Sequence, residues 1–184
     1  MNDMEIERVK IATINDLTLI IDELKNIRLE EQLSYKFNTN DLQSAQFVED
    51  FLSEIRKRID HKKYKYIYTF HLPDSSTVDD VYASYKASKE SKKSERAYAR
   101  LNKRSRYLYV GSSKGLVPRI KQHLGFGPKG TFAMQLCYWC EDLDLDIILN
   151  IYAFGNSTNI KAFQAFEDGA WNVLRPMLGR QGKK

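Results

Sequence analysis

The sequence predicts an α+β fold: a small three-stranded sheet flanked by helices, preceded by an N-terminal helical region. Two observations lead there. Three short segments are rich in β-branched and aromatic residues and end in turn-forming residues, which is the pattern of strands. Between and before them, apolar residues recur three and four positions apart, which is the pattern of helices with one buried face. The 184 residues suit one domain with an appendage, and the 42% hydrophobic content is enough for a packed core. That content argues against a disordered chain.

Taken in order, Leu17, Ile20, Ile21, Leu24 and Ile27 form a first helical stripe, and Leu42, Ala45, Val48, Leu52, Ile55 and Ile59 a second. Asn40 followed by Gln43 has the form of a capping box for the second. The segment 34–40 links them, and the pair is expected to cover a face of the remainder. Residues 1–62 are thus read as an N-terminal helical region and 63–184 as the principal domain.

Tyr64–His71 reads as the first strand, closed by Pro73, Asp74, Ser75 and Ser76. Residues 78–103 are polar and expected to be helical. Arg106-Tyr-Leu-Tyr-Val-Gly111 is a second strand that stops at a glycine. A short helix over 116–124 follows, with Pro118 in its first turn, and a further helical stretch is expected over 131–139. Leu145–Phe154 is the third strand. The last helix, 159–175, is capped by Ser157 or Thr158 and stopped by Pro176.

The net charge is +5, unevenly spread. Between Ser84 and Arg106 stand nine basic and two acidic residues, a net +7, which leaves the rest of the chain at −2. A concentrated positive segment favours a polyanion partner, although most charge runs are simply solvated faces. No run is apolar enough to span a bilayer, and Met1-Asn-Asp-Met-Glu lacks the pattern of a secretion signal. The cytoplasm is the expected location. Cys137 and Cys140 lack the further ligands that a structural zinc site needs, so packed, reduced thiols are expected.

The last helix contains an anomaly. Ile160, Phe163, Ala170 and Leu174 share a stripe bordered by Trp171, and the same spacing puts Glu167 in its middle. A carboxylate there must be paired, hydrogen-bonded, metal-bound or shifted in pKa, unless it sits at the stripe's edge and reaches water. On the short helix, Arg119 and His123 are four apart and share a face. That helix follows the strand end Tyr109-Val-Gly111, where a glycine allows close approach. A cation and an imidazole at such a place suit a phosphate.

In this order the pieces resemble the GIY-YIG nuclease superfamily over about residues 64–181. Tyr66-Ile67-Tyr68 is similar to its first motif, with tyrosine where glycine usually stands, and Tyr109-Val110-Gly111 to its second. The run Tyr-Val-Gly-Ser-Ser-x-x-Leu-x-x-Arg-Ile-x-x-His carries Arg119 and His123. Phe-Glu167 and the later Arg-Pro176-Met-Leu match its last motif. There are two departures. Tyr109 stands 41 positions after Tyr68, so residues of about 73–105, the basic segment, would be an insertion. The asparagine often found after the proline is missing: Gly179 stands there, Gln181 is a candidate replacement, and Asn172 lies too early.

The resemblance implies an antiparallel sheet, a DNA substrate and hydrolysis of phosphodiester bonds. It implies that Glu167 holds one Mg²⁺ (or Mn²⁺), that Tyr68 or His123 is the general base, and that Tyr109 and Arg119 orient water and phosphate. Lys92, Lys93, Arg96, Arg100, Lys103, Arg104 and Lys129 are candidate DNA contacts. A homodimer through the N-terminal helices is one arrangement that would cut both strands. Two competing readings are a DNA-binding module that does not cut and a helical interaction module.

Overall fold

The structure, a computed structural model, describes residues 1–182. Its centre is a sheet of four strands, not three: β1 Leu29–Asn38, β2 Tyr64–His71, β3 Tyr107–Ser112 and β4 Asp146–Gly155, in the spatial order β1-β4-β2-β3 with every pair antiparallel. The last three match the expected strands closely. β1 was hidden by charge: in Leu-Glu-Glu-Gln-Leu-Ser-Tyr-Lys-Phe-Asn only Leu33 and Phe37 are buried. An edge strand covered on one face needs few apolar residues, and the alternation Leu33, Tyr35, Phe37 was its readable sign. Since β1 joins the main sheet, a division at residue 62 falls inside one continuous β structure.

Six helices flank the sheet: α1 Asp3–Asn26, α2 Ala45–Arg58, α3 Val78–Glu90, α4 Leu116–Leu124, α5 Leu136–Trp139 and α6 Ile160–Leu174. The larger core lies on one face. There α2 contributes Val48, Leu52 and Ile55, α3 Val81 and Tyr85, and α4 Leu116, Ile120 and Leu124, against Tyr68, Phe70, Ile147, Leu149 and Ile151 of the sheet. Each such side chain contributes roughly 1.5–3 kcal/mol by leaving water. On the opposite face α6 lays Phe163, Phe166, Trp171 and Leu174 over Ile67, Val110 and Phe154.

The two N-terminal helices do not cover one face together: α2 lies along α4, whereas α1 lies along α6 on the other side. No residue of α1 is buried. The cap of α2 is Ser44, whose hydroxyl accepts the Phe47 N–H at 3.2 Å, and the capping box upstream is Asn38 with Asp41, two residues before the expected Asn40 and Gln43. Likewise α6 is capped by Asn159, whose side chain accepts the Lys161 N–H at 2.8 Å, not by Ser157 or Thr158.

The basic segment is only partly helical. α3 ends at Glu90, and Lys92, Ser94 and Glu95 have positive φ that no helix continues through. From Arg96 the chain runs extended, bridging Ala133 through Tyr98 and Leu178 through Leu101. The helical stretch expected over 131–139 shrinks to the single turn of α5, because Gln135 before it is left-handed with φ 60°. Gly125 ends α4 with φ 109°, a conformation that disfavours a side chain, and a Cβ there would fall 2.4 Å from Cys137 Sγ.

Candidate functional site

The register of β2 and β3 sets Tyr68 opposite Gly111 and Phe70 opposite Tyr109. Tyr68 and Tyr109 therefore stand on one face as diagonal neighbours, their rings stacked with centroids 6.0 Å apart. Gly111 is needed between them: a Cβ there would lie 2.8 Å from the Tyr109 ring and 3.3 Å from Tyr68 Oη. α4 follows β3 after a turn and packs its apolar side on the same face, which brings His123 over the tyrosines. His123 Nε2 is 3.0 Å from Tyr68 Oη, and its ring centroid is 4.1 Å from that of Tyr109. One helical turn earlier, Arg119 donates to Tyr109 Oη at 3.2 Å, to the Phe132 carbonyl at 3.1 Å and to Gln122 Oε1 at 2.8 Å.

Glu167 meets the end of β3 from the other face of the sheet. Its carboxylate accepts the Ser112 backbone N–H at 2.9 Å, the Ser112 hydroxyl at 2.6 Å and the Gln164 amide at 3.3 Å. Ser112 pairs with Ile67 and so faces α6, whereas its neighbour Gly111 pairs with Tyr68 on the other face; the carboxylate therefore sits at the end of β3 across the sheet from the motif tyrosines. It lies at the border of the α6 stripe, half-buried, held by hydrogen bonds rather than sunk in the core. Of the five expected residues, Tyr68, Tyr109, Arg119 and His123 are brought together on one face, and Glu167 is fastened to the end of β3 from the other, with Ser112 and Gln164 as its hydrogen-bond partners.

Burial sets the proton inventory. Tyr68 and His123 are both 0% exposed. Burial, and then Tyr109, push the Tyr68 phenol well above its ordinary range, with Arg119 pulling the other way. Burial, and then the Arg119 charge, push His123 well below its ordinary value, so the ring is neutral at neutral pH. Its tautomer follows from its second partner. The Met134 backbone N–H donates to His123 Nδ1 at 3.3 Å, so the single ring proton resides on Nε2 and is donated to Tyr68 Oη. Burial works against the charge of Arg119, but Tyr68 and Tyr109 outweigh it and raise its pKa.

Comparison with known protein families, curated proteins and solved structures finds no match to this chain. Function is therefore argued from the site's geometry.

The candidate DNA contacts divide. Arg100 lines a cleft next to Tyr109 and Arg119, and Lys92 and Lys103 are exposed on the surface. Lys93 pairs with Glu141, Arg104 with Asp79, and Lys129 with Glu95 at 3.1 Å. Arg96 is a structural residue: it donates to the Gly127 carbonyl at 2.8 Å and lies over the Tyr138 ring at 4.3 Å.

The chain after Pro176 shows what the missing asparagine leaves. Met177 and Leu178 bond to the carbonyls of Tyr107 and Leu108, extending along β3. Asn102, from the basic segment, donates its side-chain amide to the carbonyls of Pro176 (3.1 Å) and Gly179 (3.0 Å). Gly179 itself has φ 103°, and a Cβ there would fall 2.8 Å from the Tyr109 ring. Asn102, Ser112 and Gln122 were missed from sequence because they act on neighbours brought close only by the fold. Cys137 and Cys140 are free thiols, and burial pushes Cys137 up to about 11 and raises Cys140 as well.

Among the described residues no group of three or more His, Cys, Asp or Glu gathers. Glu167 is the only carboxylate of the five site residues. Such a donor set fits Mg²⁺, which keeps several waters and takes one or two carboxylates plus a substrate phosphate. Glu167 Oε1 accepts a single hydrogen bond, from Ser112 N–H, and so keeps a lone pair free.

Proposed function

We propose that the protein is a metal-dependent endonuclease that hydrolyses phosphodiester bonds of DNA, with Mg²⁺ or Mn²⁺ held by Glu167. The reading rests on two tyrosines, a neutral imidazole and a guanidinium gathered on one face of β2 and β3, with one carboxylate fastened to the end of β3 from the other face. Hydrolysis requires a water that loses its proton, a phosphorus whose developing charge is neutralised, and a departing 3′ oxygen that becomes a hydroxyl. When bound, the cation supplies charge stabilisation at the phosphate and leaving oxygen.

A tyrosine suits the base better than His123. The imidazole already carries its proton on Nε2 and spends it on Tyr68. Of the two phenols, Tyr109 is half-exposed and Tyr68 is enclosed. We assign the contact with the attacking water to Tyr109, which reverses the expected roles, and give Tyr68 the task of holding Tyr109 and His123 in place. To take the water's proton Tyr109 must act as a phenolate; Arg119, 3.2 Å from Tyr109 Oη, stabilises that anion until the proton returns it to the phenol, and stabilises the negative charge that develops on the phosphate as the hydroxide attacks.

A second reading, a DNA-binding module without cleavage, is favoured by the enclosure of Tyr68. Incubation with supercoiled plasmid separates the two. Nicking that requires Mg²⁺ and stops with EDTA or Arg119→Ala supports the enzyme. Plasmid retardation without nicking, falling steeply with salt, supports the binding module.

A further inference from the structure

Beside Tyr109 a cleft of about 340 Å³ opens, and its wall carries Lys89, Arg100, Arg119 and Arg180 with no carboxylate among its described lining residues. Backbone and side-chain bonds fasten the segments that carry them. Arg100 and Arg180 sit on neighbouring extended segments joined by the Gly179 N–H to Arg100 carbonyl bond of 2.8 Å. The Lys89 ammonium donates to the Ala99 carbonyl at 2.7 Å. Burial, and then the positive charge of Arg180, push its pKa down.

On the same wall stands Phe132, 69% exposed. Its carbonyl is gripped by Arg119 at 3.1 Å, so its backbone is fixed while its ring lies open to water. A large apolar ring left wet next to four cations, in a cleft with no carboxylate among its described lining residues, matches a ligand with a flat aromatic face and a negative group. The volume is near the lower end of small-molecule sites, about 300–1,000 Å³. It admits one nucleotide unit and not a duplex.

We propose that this cleft takes one unstacked nucleotide of the DNA strand, its phosphate between Arg100 and Arg180 and its base against Phe132. The choice of a strand over a free nucleotide rests on the nuclease reading, because the cleft shares Tyr109 and Arg119 with that site. The enzyme then acts on, or next to, a nucleotide that is unpaired or drawn out of the helix.

The test measures binding by fluorescence anisotropy with Ca²⁺ in place of Mg²⁺, using a single-stranded oligonucleotide and a perfect duplex. Phe132→Ala is expected to weaken the single strand by roughly 5- to 150-fold, the range for loss of one stacked base, and the duplex much less. Phe132→Trp restores binding. Arg100→Ala and Arg180→Ala each lower the salt slope by about one. Equal affinities of Phe132→Ala and the parent protein for the single strand overturn the proposal, as do equal losses on both substrates. So does deoxyadenosine monophosphate competing as tightly as the strand. Phe132 is exposed, so its variants test binding without threatening the fold, and a thermal melt verifies this. Plasmid nicking is scored separately: Phe132-dependent binding without any nicking keeps the cleft and removes the nuclease reading, and nicking with binding indifferent to Phe132 does the opposite.

Discussion

Replacing Tyr68 by phenylalanine removes one oxygen and leaves the ring that packs on Tyr109 and Phe70. That oxygen is 3.0 Å from His123 Nε2, and both side chains are fully enclosed. His123 carries its proton on Nε2, because Nδ1 accepts from Met134. The variant therefore leaves a buried N–H facing a phenyl edge, with no water to replace the lost partner. An unsatisfied buried donor costs about 1–3 kcal/mol. At about 2–4 °C per kcal/mol for a chain of this size, the melting temperature falls by roughly 2–12 °C. Urea unfolding followed by tryptophan fluorescence measures the loss, since Trp139 donates to the Met134 carbonyl at 2.8 Å and reports on the same neighbourhood. The slope against urea stays constant, because no additional surface is exposed. A stability change below about 0.5 kcal/mol, at the low edge of the net worth of a single hydrogen bond, refutes the argument. It would mean that the hydroxyl and the imidazole are not partners or that water reaches them. Imidazole nitrogen shifts showing the proton on Nδ1 would refute the tautomer independently.

Three further outcomes follow from the same structure. His123 has a folded-state pKa depressed below about 6.5, so between those values the unfolded chain binds a proton that the native one refuses; stability falls on acidification from pH 7, by up to about 1.4 kcal/mol per pH unit for this residue. Burial shifts His71 the same way, so His123→Asn lessens the slope of unfolding free energy against pH without abolishing it, and an unchanged slope contradicts the assignment. Gly179→Ala forces a side chain into φ 103° and within 2.8 Å of the Tyr109 ring; a stability loss of about 1 kcal/mol is expected with a larger loss in plasmid nicking, and nicking at the parent rate shows that Tyr109's position is unimportant. On α1, Ile14, Leu17 and Ile21 are exposed at coiled-coil spacing; light scattering is expected to find a dimer that Leu17→Lys dissociates, and a monomeric parent protein removes this contact.

Much of the arrangement was legible because periodicity and order survive in the sequence. Tyr64–His71 and Asp146–Gly155 announce themselves by β-branched and aromatic density, and the helical spacing of Arg119 and His123 correctly put them on one face. What stayed hidden depended on partners far along the chain. The charged β1 is a strand because β4 accepts its backbone, and only three alternating side chains record the fact. The helix expected through 103 fails at Lys92, where a left-handed turn redirects the chain so that Tyr98 and Leu101 can pair with Ala133 and Leu178. Net charge identified the basic segment but not which cations are free, since Arg96 is spent on the Gly127 carbonyl and Arg100 is not. The enclosure of Tyr68 was equally unreadable, because a motif tyrosine looks the same in sequence whether solvent touches its oxygen or not.

The account turns on Glu167. Glu167→Gln keeps a carbonyl oxygen for the Ser112 N–H, replaces the other oxygen with an amide NH2 that can donate to the Ser112 hydroxyl, and removes the charge that would hold a divalent cation. Single-turnover nicking of plasmid in Mg²⁺ is therefore the decisive measurement, with a thermal melt of the same sample. The prediction is a rate lower by about 10²–10³ or more in a variant that melts within a few degrees of the parent. Cleavage at an undiminished rate, or cleavage by the parent protein that persists in excess EDTA, would contradict it.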